Sequence, residues 1–249
     1  MTYSPVHTFG TDRPSRFLVT CDHASNLVPP DLGGTLGLHD DDMSRHIAWD
    51  VGAAGVALSL GEALNAPVVM SNFSRLVIDP NRGEDDPTLL MKLYDGTVIP
   101  GNRWACAQEK ERRLNAYYRP YHAALAELAA RRDDTVVVSV HSFTPQLRGR
   151  PPRPWHLGVL HASDRRLSDA LLNVVAHKPD LVVGRNVPYD GHLPGDAIDR
   201  HALQQGRHNT LLELRNDLIT TAEQQCDWGK RLAPWLQDAL TQADTTDRN

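Results

Sequence analysis

The sequence predicts a three-layer α/β/α sandwich built on a mainly parallel sheet. Two observations carry this. Short, continuously apolar strands alternate with amphipathic helices along the chain, the signature of a sheet covered on both faces. The composition, 41% hydrophobic and 23% charged over 249 residues, is that of an ordinary globular protein. No internal repeat and no Gly/Ser-rich linker divides it, so one domain over residues 1–249 is expected, with its core at about 16–242.

The elements follow in order. Residues 1–15 read as an irregular lead-in, and Arg16–Cys21 as a buried strand. That strand ends in the polar burst Asp22-His23-Ala24-Ser25-Asn26, and Pro29-Pro30 and Gly33-Gly34 keep the chain irregular beyond it. Met43, Ile47, Val51, Ala54 and Leu58 recur at helical steps and predict a helix from Met43 to Asn65. Pro67–Ser71 is a second strand. Leu76–Ile78 leads into Asp79-Pro80-Asn81-Arg82, and 83–103 reads as a long functional loop. Trp104 to Arg132 predicts a long helix with a kink at Pro120. Thr135–Val140 is the clearest buried strand and ends at His141-Ser142. A Pro- and Arg-rich loop at 144–154 follows. Strand 156–161, helix 164–176, strand 181–185, loop 186–195, strand 209–214 and helix 220–242 complete the chain.

The net charge of −5 gives no basic excess for nucleic acid or an anionic membrane surface. Cys21, Cys106 and Cys226 form no metal-type pair and no disulfide framework, which fits a reducing compartment. The first residues lack a signal-peptide core. The longest weakly polar run, Val51 to Leu60, is too short to span a bilayer. A cytoplasmic protein is expected; its oligomeric state is left open.

In sheets of this class ligands bind beyond the carboxyl ends of the strands, which gives weight to the polar residues found there. Asp22-His23, Ser74-Arg75 with Asn81-Arg82, His141-Ser142 and Glu213 to Asp217 are four such clusters. His46 and Asp50 form a fifth, on the core-facing side of the expected first helix. An unpaired buried carboxylate is costly, so Asp50 needs a partner. One reading is a hydrogen bond to His46 or a salt bridge to an arginine; the other is a metal ligand. His23 and His141, each directly after an apolar strand, would with that carboxylate make a three-ligand zinc site, other divalent metals remaining possible. Glu213 alternates away from Leu212 and Leu214. It reads either as half of a structural ion pair or as a general base that deprotonates a metal-bound water. Arg75, Arg82 and Arg215 are candidate anion clamps, singly more often structural. His192, His201 and His208 are scattered; for His201 an ordinary surface position and a place in the site are both open. Cys21 reads as buried and inert. Neither a G-x-S-x-G elbow nor a P-loop or dinucleotide fingerprint is present.

The segments CDHASNLVP at 21–29, RHIAWDVGA at 45–53, SRLVIDPNR at 74–82, VHS at 140–142 and LELRNDLI at 212–219 together resemble the N-formylglutamate amidohydrolase family. That family is similar to zinc carboxypeptidases, aspartoacylases and zinc-dependent cell-wall amidases. The resemblance implies a mixed-sheet, phosphorylase/hydrolase-like α/β/α fold and a metal-activated water. It places His23, Asp50 and His141 at the zinc and makes Glu213 the catalytic glutamate. Arg75 would stabilise the oxyanion. Asn81, Arg82 and also Arg215 would hold the carboxylate of a small N-acyl amino acid, N-formylglutamate being one example. Carboxypeptidases take a ligand three residues after the first His; here that residue is Asn26, and Asp50 takes its place as in the cell-wall amidases. A related amidase acting on another small acyl substrate, and a non-catalytic binding protein on the same fold, are the alternatives.

Overall fold

The computed structural model describes residues 3–246. In chain order the elements are β1 (Val6–Phe9), β2 (Phe17–Cys21), α1 (Asp40–Met43), α2 (Ala53–Ala63), β3 (Val68–Ser71), β4 (Leu93–Tyr94), β5 (Thr97–Val98), α3 (Ala107–Arg113), α4 (Arg119–Ala129), β6 (Val136–Phe143), β7 (Leu157–Leu160), α5 (Arg166–Val175), β8 (Val183–Arg185), α6 (Ala197–His201), β9 (Asn209–Arg215) and α7 (Ala222–Thr246). Seven strands form one sheet in the order β1-β3-β2-β6-β9-β7-β8, and β4-β5 is a separate hairpin. β3, β2, β6 and β9 run parallel; β1 is antiparallel to β3, and β7 to β9 with β8 following β7. The sheet is mixed and mostly parallel, as expected.

The two faces differ in chemistry, and the difference places the site. On one face Phe17, Val19 and Cys21, Val136, Val138 and Val140, and Leu212 and Leu214 pack against α2, α5 and α7. This face is apolar apart from Thr210, whose hydroxyl accepts a hydrogen bond from Ser168 of α5. On the other, Leu18 and Val69 pack on Tyr121, Leu125 and Leu128 of α4, and Val137 and Leu211 pack on Ile198 of α6. Strand alternation sends Ser139 and His141 of β6 and Glu213 of β9 to this second face. It is apolar near the amino ends of the parallel strands and polar near their carboxyl ends.

Four expected elements differ; the 83–103 loop holds the β4-β5 hairpin. The helix expected from Met43 to Asn65 is two pieces, because residues 44–52 form turns. Gly52 lies at φ +82, where an added Cβ would collide with the Ile219 carbonyl oxygen, and the helix starts only at Ala53. Asp50 therefore lies in a turn before α2, not on a helix. The long helix around Pro120 holds a π-helical turn, Leu114–Tyr118, directly before α4. Pro120 follows that turn inside a continuous helical run, and the wider π turn is where the ladder adjusts to its ring and missing N–H. The lead-in contains an edge strand, β1, mostly exposed, whose two apolar residues, Val6 and Phe9, fall on opposite faces and show no alternation.

Candidate functional site

Three loops and two strand ends meet above the carboxyl ends of β2, β6 and β9. The loop after β2 and the 44–52 turns are tied by the Asp50 N–H, which donates to the His23 carbonyl at 2.9 Å. The loop after β3 joins them through Ser74, whose hydroxyl donates to the Ala48 carbonyl at 2.7 Å, and through the Arg75 N–H to the same oxygen at 3.2 Å. His141 and Glu213 lie side by side, paired in register across β6 and β9.

At the centre, His23, Asp50 and His141 offer ligand atoms that all lie within 4.8 Å of one another. His141 Nδ1 is 2.7 Å and His23 Nδ1 3.3 Å from the same oxygen, Asp50 Oδ2. The rings meet edge to face, centroids 4.9 Å apart. Each Nε2 is held from behind by another buried carboxylate. His23 Nε2 donates to Asp79 Oδ1 at 2.7 Å, and His141 Nε2 to Asp22 Oδ2 at 3.0 Å. Both nitrogens of each ring face a carboxylate, so without a cation the Nδ1 atoms also donate, to Asp50; a cation taking the place of those protons would leave the Nε2 protons bonded to Asp79 and Asp22 and two Nδ1 lone pairs converging on it. A carboxylate behind each histidine is the arrangement that orients metal-binding imidazoles.

The surrounding bonds fix these acids. Asp22 also accepts from the Tyr121 hydroxyl at 2.6 Å and Ser139 at 3.0 Å. Asp79 accepts from Arg75 Nη2 at 2.8 Å and from the Asn81 N–H at 2.9 Å. Arg75 Nη1 reaches Asp50 Oδ1 at 3.5 Å, and its guanidinium lies 5.5 Å from the Tyr94 ring centroid. Burial opposes the charge on Asp22 most strongly, yet the bonds from His141 and Tyr121 bring its pKa down to about 2. Burial likewise opposes Asp50 and Asp79, and both are held below the usual carboxylate range, Asp50 by His23 and His141 and Asp79 by Arg75 and His23. Burial disfavours imidazolium at His141, but Asp22 and Asp50 raise its pKa well above the ordinary value.

The charge balance tests whether this group fits a cation. Three buried ionised carboxylates face one guanidinium, leaving two negative charges that protons on the imidazoles or one divalent ion must meet. Two imidazole nitrogens and a carboxylate oxygen form a donor set suited to a divalent transition metal. Beside it, Glu213 Oε2 is buried without a hydrogen-bond partner. Burial, with the Asp50 charge adding, pushes Glu213 up to about 8, against the opposing charges of His141, Arg75 and Arg153. The residues fit the group.

These side chains line a cavity of about 430 Å³. Asn81, Arg82, His46 and Tyr94 form part of its wall. Asn81 Oδ1 accepts from the Ala197 N–H at 3.3 Å, which turns its Nδ2 hydrogens elsewhere. Arg82 donates to its neighbour's carbonyl at 2.7 Å and to Thr88 at 3.2 Å. His46 does not pair with Asp50; its Nε2 lies 3.4 Å from Asp95. Asn26 donates to the Met43 carbonyl at 2.9 Å and takes no part in the donor set. Cys21 is fully buried.

His201 and Arg215 do not line the cavity. His201 stacks on His122 behind the wall, and Arg215 pairs with Asp217 at 2.8 Å and with two backbone carbonyls. The supporting acid Asp79 and the wall residues Tyr94 and Tyr189 escaped sequence reasoning. Asp79 stands inside the SRLVIDPNR segment, the one signal that could have marked it. A larger depression of about 700 Å³ beside α5 is lined by arginines and aspartates that pair with one another. Among the described residues no helix is long and apolar enough to cross a membrane.

The chain matches the crystal structure of an Agrobacterium tumefaciens gene product with a TM-score of 0.90 and 37% identity, covering 96% of each chain. The crystal structure of N-formylglutamate amidohydrolase from Ralstonia eutropha shares the fold, with a TM-score of 0.66 and 20% identity over 94% of this chain and 99% of that one. An N-formylglutamate deformylase of Pseudomonas putida is 28% identical over 170 residues, 61% of this chain and 62% of its own length, so the match spans less than two thirds of that relative. The sequence profile described as N-formylglutamate amidohydrolase matches residues 15–220, and the chain belongs to that family.

Proposed function

We propose that this protein is a zinc-dependent amidohydrolase that releases the acyl group of a small N-acyl amino acid, N-formylglutamate being the substrate its family suggests. The observation that supports this most is the pair of Nδ1 atoms converging on Asp50 beside the unpartnered carboxylate oxygen of Glu213. His23, Asp50 and His141 would hold the ion. A divalent ion bound there acidifies water, to a pKa of roughly 7 for zinc, and polarises a carbonyl.

The chain's own residues do the rest. Glu213 Oε2 accepts the proton of the attacking water and returns it to the leaving nitrogen. Its position next to His141 in register keeps it within the same small volume. Asp79 and Asp22 hold the two imidazoles in one tautomer and orientation. Arg75 is tied to Asp79 and Asp50, and its fixed guanidinium stands where charge develops on the carbonyl oxygen, a stabilisation of about 3 kcal/mol per well-placed donor. Asn81 and Arg82 bind the α-carboxylate from the adjoining wall.

Metal analysis of protein purified without chelator, with a formate-release assay on N-formyl-L-glutamate, tests this reading. Stoichiometric metal and formate release are expected in the wild type, and loss of both in His141→Ala. A folded wild type that retains no zinc after loading and releases no formate would overturn it.

A further inference from the structure

The cavity has a second wall, formed by residues 186–191 and the end of β6, and a cation, Arg153, stands against two of its rings from behind the lining. Arg153 lies between two rings that line the cavity: its guanidinium is 5.7 Å from the Phe143 centroid and 5.0 Å from that of Tyr189. Its Nη1 donates to the Thr144 carbonyl at 3.1 Å and to the Tyr189 hydroxyl at 3.2 Å. Among the described residues no carboxylate forms an ion pair with Arg153, although Asp190 stands in the same wall. The other arginines differ. Arg75 is neutralised by Asp79 and Asp50, and Arg215 by Asp217. Of the two arginines that line the cavity, Arg75 and Arg82, only Arg82 shares the unpaired state of Arg153, with neutral hydrogen-bond partners.

The wall is fixed against the reacting centre. An added Cβ on Gly158 of β7 would collide with the Val187 carbonyl oxygen and press on Glu213 Cβ at 3.2 Å. The absence of a side chain there lets the 186–191 segment sit directly on the strand pair that carries Glu213, and it sets Tyr189 in the cavity wall with Arg153 packed against it. Arg153 is close enough for its charge to act on both Glu213 and His46.

We propose that Arg153, braced by Phe143 and Tyr189, is a specificity-determining residue that binds the carboxylate at the end of the substrate's side chain, across the cavity from Arg82 at the α-carboxylate. The inference rests on the amidohydrolase reading for its substrate. It assigns one unpaired guanidinium to each end of an N-acyl amino dicarboxylic acid, with the scissile amide between them at His23, His141 and Glu213. A planar guanidinium held on aromatic faces keeps its outer edge free for bidentate contact with a carboxylate.

Two measurements on zinc-loaded protein test it. In Arg153→Met, which keeps an apolar stem between the rings, the ratio of kcat/KM for N-formyl-L-glutamate to that for N-formyl-L-glutamine should fall by roughly 10- to 150-fold. The change should lie in KM, with Arg153→Lys recovering part of it. An unchanged ratio would overturn the proposal. The second measurement is calorimetric binding of L-glutamate and L-glutamine, which needs no hydrolysis. Preference for L-glutamate in the wild type, lost in Arg153→Met, supports the assignment even if formate release fails. Equal binding of the two by the wild type, or a preference that survives the substitution, overturns it even if formate release succeeds.

Discussion

Glu213 carries a carboxylate oxygen that is buried and finds no partner within the chain. A structural acid normally has its polar atoms satisfied, because a buried polar atom left unmet costs on the order of 1–3 kcal/mol even when burial, as here, keeps the group largely protonated near neutral pH. At Glu213 that cost is tolerated, as expected of a group whose partner is water or substrate. Glu213→Gln separates the two roles, since it keeps the shape and removes only the basic oxygen. The variant should keep its metal and its melting temperature and lose at least about a hundredfold in kcat. A variant that retains activity, or that is inactive only because it is unfolded, would assign the proton transfer to another group. The same residue shows how much the sequence displayed. Alternation against Leu212 and Leu214 was enough to place Glu213 on the second face of the sheet. The histidines at the ends of β2 and β6 were visible for the same reason. Asp79 was not, because its role depends on a turn that brings it under His23 across 56 positions.

Between elements, α4 and α6 are joined by a histidine pair. His122 Nε2 donates to the Pro80 carbonyl at 3.0 Å, so His122 Nδ1 accepts the proton of His201 Nε2 at 2.9 Å. Burial, the larger cause in both, lowers His122 to about 3 and His201 to about 4; at His201 the charge of Asp22 opposes this and those of Arg200 and Arg207 add to it. The sign follows from linkage. Both folded values lie below the unfolded value of about 6.5, so folding favours the neutral rings. That stability is present above pH 6.5 and is lost as pH falls through the folded values, on the order of 3 kcal/mol for His201 alone by pH 4. Melting temperature measured between pH 7 and 4 should fall steeply in the wild type. In His201→Gln, which still offers a donor to His122, it should fall less; identical slopes would place the acid sensitivity elsewhere. At this scale the sequence was readable where a strand is buried on both faces, as in β6. It misled where helical spacing occurs without a helix. Met43, Ile47 and Val51 satisfy the spacing, yet Gly52 forces a left-handed turn and Asp50 is presented from an irregular segment. The short edge strand β1, with Val6 and Phe9 on opposite faces, has no alternating pattern to reveal it.

For the molecule as a whole, the central group of acids makes folding depend on cations. Two of its buried negative charges have no fixed counter-ion in the chain, so metal binding and folding should be coupled. An ion present at a thousand times its dissociation constant adds about 4 kcal/mol, which for a chain of this size is roughly 10 °C in Tm. Chelation should lower the melting temperature by about that much and zinc should restore it. Equal melting curves with chelator and with zinc would show that protons balance the site. The layered architecture was legible because alternation of strands and helices is a global pattern. The cavity wall at 186–191 was not, because it depends on contacts between segments that carry no periodicity.

The pairing of His141 with Glu213 across β6 and β9 also acts as a form of proofreading. Beyond Thr210, one side of β9 is apolar, Leu212 and Leu214, and the other carries the acid, so a slip of a single position would turn Glu213 into the packed layer of α2, α5 and α7 and bring Leu212 or Leu214 to the cavity. Burying that carboxylate among aliphatic side chains costs more than the strand pairing could recover. A misregistered chain is therefore rejected as a fold before it can persist as an inactive enzyme, and any molecule that passes has its acid aligned with its histidine.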